Sequence, residues 1–195
     1  MTPAPSGRRR RAGGQGLTEF AIVLPVCLMV LLGILEFGIA FTHHLSLEYA
    51  TREGARMGAA LAHGSKTFDC KTVDDQVVAA VQRVLTSSGA QVDINQVSEI
   101  RIYQADGAGA QEGPVNVWKL GAGPKVDGTP LLFKYSSGNW DACSRKNDGF
   151  EKTDSIGISL IYNYRYVTPL GSLLGLVGTP VMTMSDRTVM ALNPG

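Results

Sequence analysis

Two patterns of polar and apolar positions divide the chain. From Phe20 to Leu35 the run FAIVLPVCLMVLLGIL holds sixteen residues without a charge, and Leu17, Thr18 and Phe37 to Phe41 extend the apolar region to 25 residues. At ~1.5 Å per residue a helix of that length covers about 37 Å, enough to cross a ~30 Å hydrocarbon core with some tilt. Pro25 removes one backbone donor and predicts a kink, which membrane helices tolerate. Nothing breaks the helix at Thr42, and helix-compatible residues run on to Gly64, which suits a C-cap. In this extension one ridge at i, i+4 spacing reads His44, Glu48, Arg52, Arg56, with Glu48 ahead of Arg52 in the favourable order. A second ridge, Gly38, Thr42, Ser46, Ala50, Gly54, Gly58, Ala62, is small throughout. Each i+4 step drifts by ~40°, so only part of it can face one neighbour. It suits close packing of Ala50 to Ala62 on the protein's own sheet, or the approach of helices from neighbouring subunits.

Beyond Gly64 the patterns shorten. Thr72 to Leu85 predicts a second helix with Thr72 as N-cap and Asp74 and Asp75 favouring the dipole. Val73, Val77, Ala80, Val81 and Val84 form its apolar face, and Ser88-Gly89 closes it. The period then changes to two. Glu99–Gln104, Val115–Leu120 and Leu131–Tyr135 predict strands, and Ser155–Val167 places Ile156, Ile158, Leu160, Tyr162, Tyr164 and Tyr166 on one face. Val181–Leu192 pairs naturally with that strand across the Thr168–Pro180 connection. Ala105–Pro130 is rich in Gly and Pro and reads as a mobile loop insertion. Helices followed by strands predict an α+β fold with an antiparallel sheet.

Charge changes this picture at one end. The 195 residues carry 18 Lys+Arg against 17 Asp+Glu, a net of +1, which argues against a nucleic-acid binder. The balance is uneven, because Arg8, Arg9, Arg10 and Arg11 are all basic and no acid precedes Glu19. By the positive-inside rule they place the N-terminus in the cytoplasm and the region after the helix outside. A cleaved secretory signal shares the basic-then-apolar layout. Its best small-residue site, Gly38-Ile39-Ala40, lies after an apolar run too long for such a signal. A twin-arginine signal fits poorly, since the arginines run straight into Ala-Gly-Gly. Two carboxylates interrupt the apolar pattern. Glu36 falls near its far end, about 25 Å along the axis from Glu19, either at the outer interface, where a carboxylate is cheap, or in a specific role such as pairing with a partner's cation. Glu19 stands at the entrance, either in the headgroup region or facing a partner. A chain cut after Gly14 would carry a new α-amine at Gln15, one helical turn from Glu19 and largely charged near neutral pH with a reference pKa of ~8.

The basic stretch, the small Gly14, Glu19 five residues after it and the aromatic Phe20 together resemble the class III signal of type IV pilins. The longer run RRRRAGGQGLTEFAIVLPVCLMVLLGILEFG, with LEYATREGARMGAA after it, resembles the start of TadE-like proteins. These are pseudopilins or minor pilins of tight-adherence (Tad, Flp-type) pilus systems. The resemblance implies cleavage between Gly14 and Gln15 by a prepilin peptidase, with Glu19 as the acidic residue such signals carry. Phe20 stands where major Flp pilins have tyrosine. It further implies partners among other Tad pilus components, including related pseudopilins and the major pilin, and a role in pilus biogenesis and surface adherence. On this reading residues 1–14 are a leader, 15–42 span the cytoplasmic membrane and 43–195 form the exported domain, with the insertion at about 105–130.

Chemistry elsewhere is sparse. In an oxidising exterior Cys70 and Cys143 are expected to pair, leaving Cys27 as a small apolar filler in the membrane run. No Walker loop, G-x-S-x-G elbow, H-E-x-x-H helix or Cys-x-x-Cys pair occurs, so no enzyme, cofactor, metal or small-molecule substrate is expected. His43 and His44 diverge by ~100° on a helix and read as a polar pair at the outer interface. Asn147-Asp148-Gly149, with Asp141, Glu151 and Asp154 nearby, reads as a solvated acidic loop rather than a calcium site. The alternative to a pilus component is an uncleaved, single-pass, membrane-anchored extracytoplasmic binding or sensing domain. Cutting after Gly14 would remove four of the 18 basic residues and no acid, leaving 14 against 17 and a net of −3.

Overall fold

The computed structural model of the protein describes residues 14–62, 69–106, 108–147, 153–173 and 181–193. Arg8 to Arg11, Gly64 and residues 148–151 of the acidic loop lie outside them. The expected membrane helix and its extension form one α-helix, α1 (Gln15–Leu61), which runs through Pro25 and is about 70 Å long. It is long and apolar enough to cross a membrane. From Leu17 to Leu35 its large apolar side chains, Leu32 apart, stand exposed, whereas Leu47, Ala50, Thr51, Gly54, Ala55 and Gly58 are buried. One helix therefore has a lipid-compatible half and a core half.

The core half packs on α2 (Val73–Leu85) and on an antiparallel sheet, giving an α+β fold. The sheet consists of β1 (Val97–Ala105), β2 (Gln111–Leu120), β5 (Phe133–Gly138), β6 (Ser155–Arg165) and β7 (Val181–Ala191), in the order β5-β2-β1-β6-β7. A short hairpin, β3 (Lys125–Val126) with β4 (Thr129–Pro130), lies apart from it. The period-two pattern of β6 turns its whole face inward. Ile156, Ile158, Leu160, Tyr162 and Tyr164 are fully buried. β7 pairs with β6 in unbroken register from Ser155–Ala191 to Arg165–Val181.

The small ridge of α1 divides along its length. A Cβ built on Gly54 would lie 2.6 Å from Val81 Cγ2 of α2, and one on Gly58 would lie 2.5 Å from Ile156 Cδ1 of β6. Those glycines allow the helix to sit on both layers at once. Gly38 has nothing within 4 Å of such a position. The Ala50 to Ala62 stretch thus serves the protein's own core, and the lower end of the ridge is left open. On the outer ridge Glu48 pairs with Arg52, and Arg56 lies 3.9 Å from Glu53.

Local details depart from expectation where side chains compete for the backbone. Thr72 precedes α2 but does not cap it. Its hydroxyl donates to Asp69 O (2.8 Å), because Cys70–Thr72 forms a 3-10 turn whose own cap is Asp69. The helix ends at Leu85, short of Ser88-Gly89. The stretch 105–130 is not a loop insertion: β2 begins at Gln111 and pairs back to Ala105 of β1. Cys70 and Cys143 form a disulfide closing 73 residues of sequence separation. On a chain-entropy argument such a loop is worth about 4 kcal/mol. Beside it Asn116, buried, donates to Asp74 Oδ2 (2.9 Å) and to Trp140 O (2.7 Å) and accepts from Trp140 N (2.9 Å). Arg145 pairs with Asp74 at 2.6 Å and covers the Trp140 ring at 4.1 Å. Together these tie the segment after β5 to the start of α2.

Gly54→Val is expected to destabilise the fold by about 1–3 kcal/mol, because Val81 cannot retreat from a β-branched side chain. Gly38→Val is expected to stay within ~0.5 kcal/mol of the parent. Denaturant unfolding in detergent, followed by the fluorescence of buried Trp118 and Trp140, compares the two.

Candidate functional site

The residues that carry chemistry lie along α1, at its first turn and where it leaves its apolar stretch. At the first turn Gly14 is the N-cap residue, with φ −92° and ψ −27° and no side-chain cap. Thr18 closes the turn, its hydroxyl donating to Gln15 O at 2.7 Å. Gln15 and Glu19 face each other one turn apart, Gln15 Nε2 donating to Glu19 Oε1 at 3.0 Å. Phe20 follows, 63 % exposed. This contact joins the two side chains and does not involve the backbone nitrogen of Gln15. Gly14 itself has nothing within 4 Å of a built Cβ and an ordinary negative φ. Among the described residues nothing requires glycine there.

The second locus centres on Glu36, and it corrects the expectation of a carboxylate lying free at the outer interface. Glu36 is only 4 % exposed. It accepts hydrogen bonds from the Tyr164 hydroxyl, from Val167 N (3.0 Å) and from Thr168 N (2.7 Å). Three donors around one carboxylate supply the compensation that a charge removed from water needs. The arrangement also pushes the Tyr164 hydroxyl far above the usual tyrosine range, through burial first and then the hydrogen bond to Glu36. Val167 and Thr168 come after the last ladder residue of β6, so Glu36 satisfies two backbone donors that the sheet leaves behind.

Two further clips fasten the same face of α1 to the β6–β7 hairpin. His43 Nδ1 lies 3.1 Å from the Tyr162 hydroxyl, and its ring meets Tyr162 and Tyr164 edge-on at 5.7 and 5.2 Å. His43 is thus part of the packing rather than one of an interfacial polar pair, while His44 makes no such contact among the described residues. Thr51, fully buried, donates to Asp186 and shares a 3.0 Å hydrogen bond with Thr188 of β7. Sequence reasoning did not reach these partners. An unexplained carboxylate in an apolar run is itself a signal that donors exist, but the nearest lies 128 residues away in the chain.

Elsewhere the expected candidates resolve into local structure. Asp154 accepts from Gln104 Nε2 (2.9 Å) and Lys146 N (2.8 Å), and Asp141 caps Cys143 N (2.9 Å), so both carboxylates already have structural donors. Asp69 approaches Cys70 and Cys143, but both sulfurs are consumed in the disulfide. A cleft of about 470 Å³ opens beside the disulfide, with Trp118 and Trp140 in its wall. Its aromatic faces are already covered, Trp140 by Arg145 and Trp118 by Tyr135 at 5.4 Å. Cys27 is exposed on the lipid-compatible half of α1.

Removing the Glu36 donors one at a time grades the clip. Tyr164→Phe is expected to cost about 1.5–3 kcal/mol, the range for a hydrogen bond to a charged group. Glu36→Ala, which also strands the Val167 and Thr168 N–H groups, should cost more and speed hydrogen exchange at those two amides. Burial holds the His43 imidazole below its ordinary value of 6.5, with the Glu36 charge opposing the shift. A folded-state value below the unfolded one means that the unfolded chain binds the proton first, so stability is complete above pH 6.5 and falls as pH drops through the folded value. The parent-minus-His43→Gln difference in stability should carry that pH dependence, read from denaturation midpoints at pH 7.5, 6.5 and 5.5.

No curated protein and no solved structure gives a significant match to the chain. A family does match, and it matches the helix just described. Residues 14–56, from the cap before the first turn of α1 to Arg56 on its outer ridge, match the family described as TadE-like protein.

Proposed function

We propose that this chain is a pseudopilin or minor pilin of a Tad/Flp-type pilus, made as a precursor and cut between Gly14 and Gln15 by a prepilin peptidase. A TadE-like family match associates the chain with Tad pilus components, which are structural rather than enzymatic. The observation that carries the finer reading is the setting of Gly14. The family match opens at this residue, the helix begins at the next one, and the position has open space and an ordinary backbone. A glycine that its own fold does not require is one that an outside agent can require, and a peptidase that must approach the backbone is such an agent.

In this reading residues 1–14, with Arg8, Arg9, Arg10 and Arg11, orient insertion with the N-terminus in the cytoplasm and are then discarded. Residues 15–42 anchor the protein in the cytoplasmic membrane, and 43–195 form the exported domain. Glu19, now paired with the Gln15 side chain, would meet an α-amine instead, its own or that of a neighbouring subunit. That exchange replaces a neutral donor with a charged one, a stronger partner for a carboxylate at the edge of lipid. Other Tad components, including related pseudopilins and the major pilin, are the partners this chemistry serves, in support of pilus biogenesis and adherence.

N-terminal sequencing and intact mass of the membrane-isolated protein test the proposal. The expected start is Gln15 when a prepilin peptidase is present and the full precursor when it is absent. Gly14→Leu should abolish the cut without loss of folded protein, and Glu19→Ala should be cut normally yet enter pili poorly. An uncut N-terminus in the presence of the peptidase would overturn the proposal in favour of a permanently anchored binding or sensing domain.

A further inference from the structure

At one end of the exported domain, the apolar chemistry of the anchor helix continues onto the sheet. β6 runs antiparallel to α1, since Ile156 lies at Gly58, Ile158 at Gly54, Tyr162 at His43 and Tyr164 at Glu36. The strand therefore descends toward the lipid-compatible half of the helix, and its end is held there by Glu36. Counting from Leu17, Glu36 lies about 28 Å up the helix axis, close to the ~30 Å thickness of a hydrocarbon core. After β6, α3 (Leu170–Leu173) packs against α1. One turn below Glu36, Leu32 and Gly33 are half-buried while Ile34 and Leu35 are exposed.

The composition of this end is apolar. Between Arg165 and Asp186 the sequence has no charged residue. Val167 is 66 % exposed, and Val181 and Met182, where β7 begins, are 47 % and 39 % exposed. These exposed apolar side chains lie at the end of the sheet that meets the lipid-compatible half of α1, where a lipid surface suits them. Two backbone donors at this end are taken by the protein itself. The ladder is closed to the Arg165–Val181 pair, α3 is helical, and two N–H groups between them, of Val167 and Thr168, are taken by the buried carboxylate of Glu36. Water would satisfy those two amides at no cost if the tip stood in solvent. Next to hydrocarbon an unpaired N–H is expensive, so taking these two amides internally suits a contact with the lipid surface. Arg165, exposed at the last rung, is placed to reach headgroup phosphates.

We infer that the membrane end of the β6–β7 hairpin, through Val167, Val181 and Met182, is a second lipid contact that docks the exported domain on the outer face of the bilayer that α1 spans. The domain is then seated on the membrane at two points, the helix and the hairpin end. The inference rests on the membrane-anchor reading of α1, so the two are tested side by side.

The full chain carrying Cys27→Ala is reconstituted in phosphatidylcholine vesicles under non-reducing conditions, so that Cys70–Cys143 stays closed. Single cysteines are introduced by Val167→Cys, Val181→Cys or Met182→Cys, with Val30→Cys as the lipid reference and Glu112→Cys as the water reference, and each is labelled with an environment-sensitive fluorophore. Quenching is measured with shallow and deep doxyl lipids and with aqueous iodide. The expected result is quenching of the three hairpin labels by shallow doxyl lipid and severalfold protection from iodide relative to the Glu112→Cys label, with the Val30→Cys label quenched by deep lipid. Hairpin labels open to iodide, with only the Val30→Cys label in lipid, would overturn the inference and leave the anchor standing. If the Val30→Cys label were also open to iodide, the anchor reading would fail and the inference with it. Hairpin labels shielded from both quenchers and self-quenching in proportion to protein density would overturn the inference by showing a second copy on this surface.

Discussion

Glu36 is the interaction on which the arrangement of the molecule turns. A carboxylate at the lipid end of a helix must find donors, and this one takes the Tyr164 hydroxyl and the amides of Val167 and Thr168. That choice fixes where β6 stops along α1. From Gly58 to Glu36 the helix advances about 33 Å at 1.5 Å per residue. From Ile156 to Val167 the strand covers about 36 Å at ~3.3 Å per residue. The two paths stay in step, so contacts at Gly54, His43 and Glu36 fall on one face although helix and strand have different rises. A slip of one residue in β6 would turn Tyr164 away from the helix and its exposed neighbours inward.

The same match explains why polar groups recur on an otherwise apolar seam. Thr51 with Asp186 and Thr188, His43 with Tyr162, and Glu36 with the end of β6 sit at successive heights. Leu47 and Ala50 pack between them, and Gly54 and Gly58 pack beyond Thr51. The apolar contacts supply most of the driving force, and small residues let the layers approach. They are tolerant of sliding. The polar clips are not, because each works at one register and leaves buried groups unsatisfied at any other.

This division decides how much of the molecule is legible in its sequence. Period-two and period-3.6 patterns are local, so α1, the apolar face of α2 and the inward face of β6 were legible from their own residues. The terminal hairpin was legible too, because its strands are neighbours in sequence and share an alternating pattern. The partners of Glu36 were not, since a carboxylate announces a need for donors without saying which strand provides them. Thr72 misled for a different reason. Asp69, three residues earlier, competes for the same backbone and wins, turning the expected cap into part of a 3-10 turn. In the stretch 105–130 the glycines suggested loop, but Gly113 lies within β2 at its register shift against β1, where the Gln104 side chain leaves no room for a Cβ. At the N-terminal signal, pattern located Gly14 and Glu19, and it could not show whether the fold itself needs them.

The glycines of α1 answer that question by position. Gly54 and Gly58 are surrounded by Val81, Ile158, Ile156 and Val77, and no other residue fits without displacing them. Gly14, Gly16, Gly33 and Gly38 have nothing within 4 Å of a built Cβ. In a helix interior glycine costs about 1 kcal/mol against alanine, so a glycine with no internal contact is a cost the fold does not recover. Three of these, Gly16, Gly33 and Gly38, lie in the lipid-compatible half of α1 and one, Gly14, at its cap. In that half these glycines pack against nothing among the described residues. The core half has no such freedom, because every small residue on its inner face is already committed to α2 or the sheet.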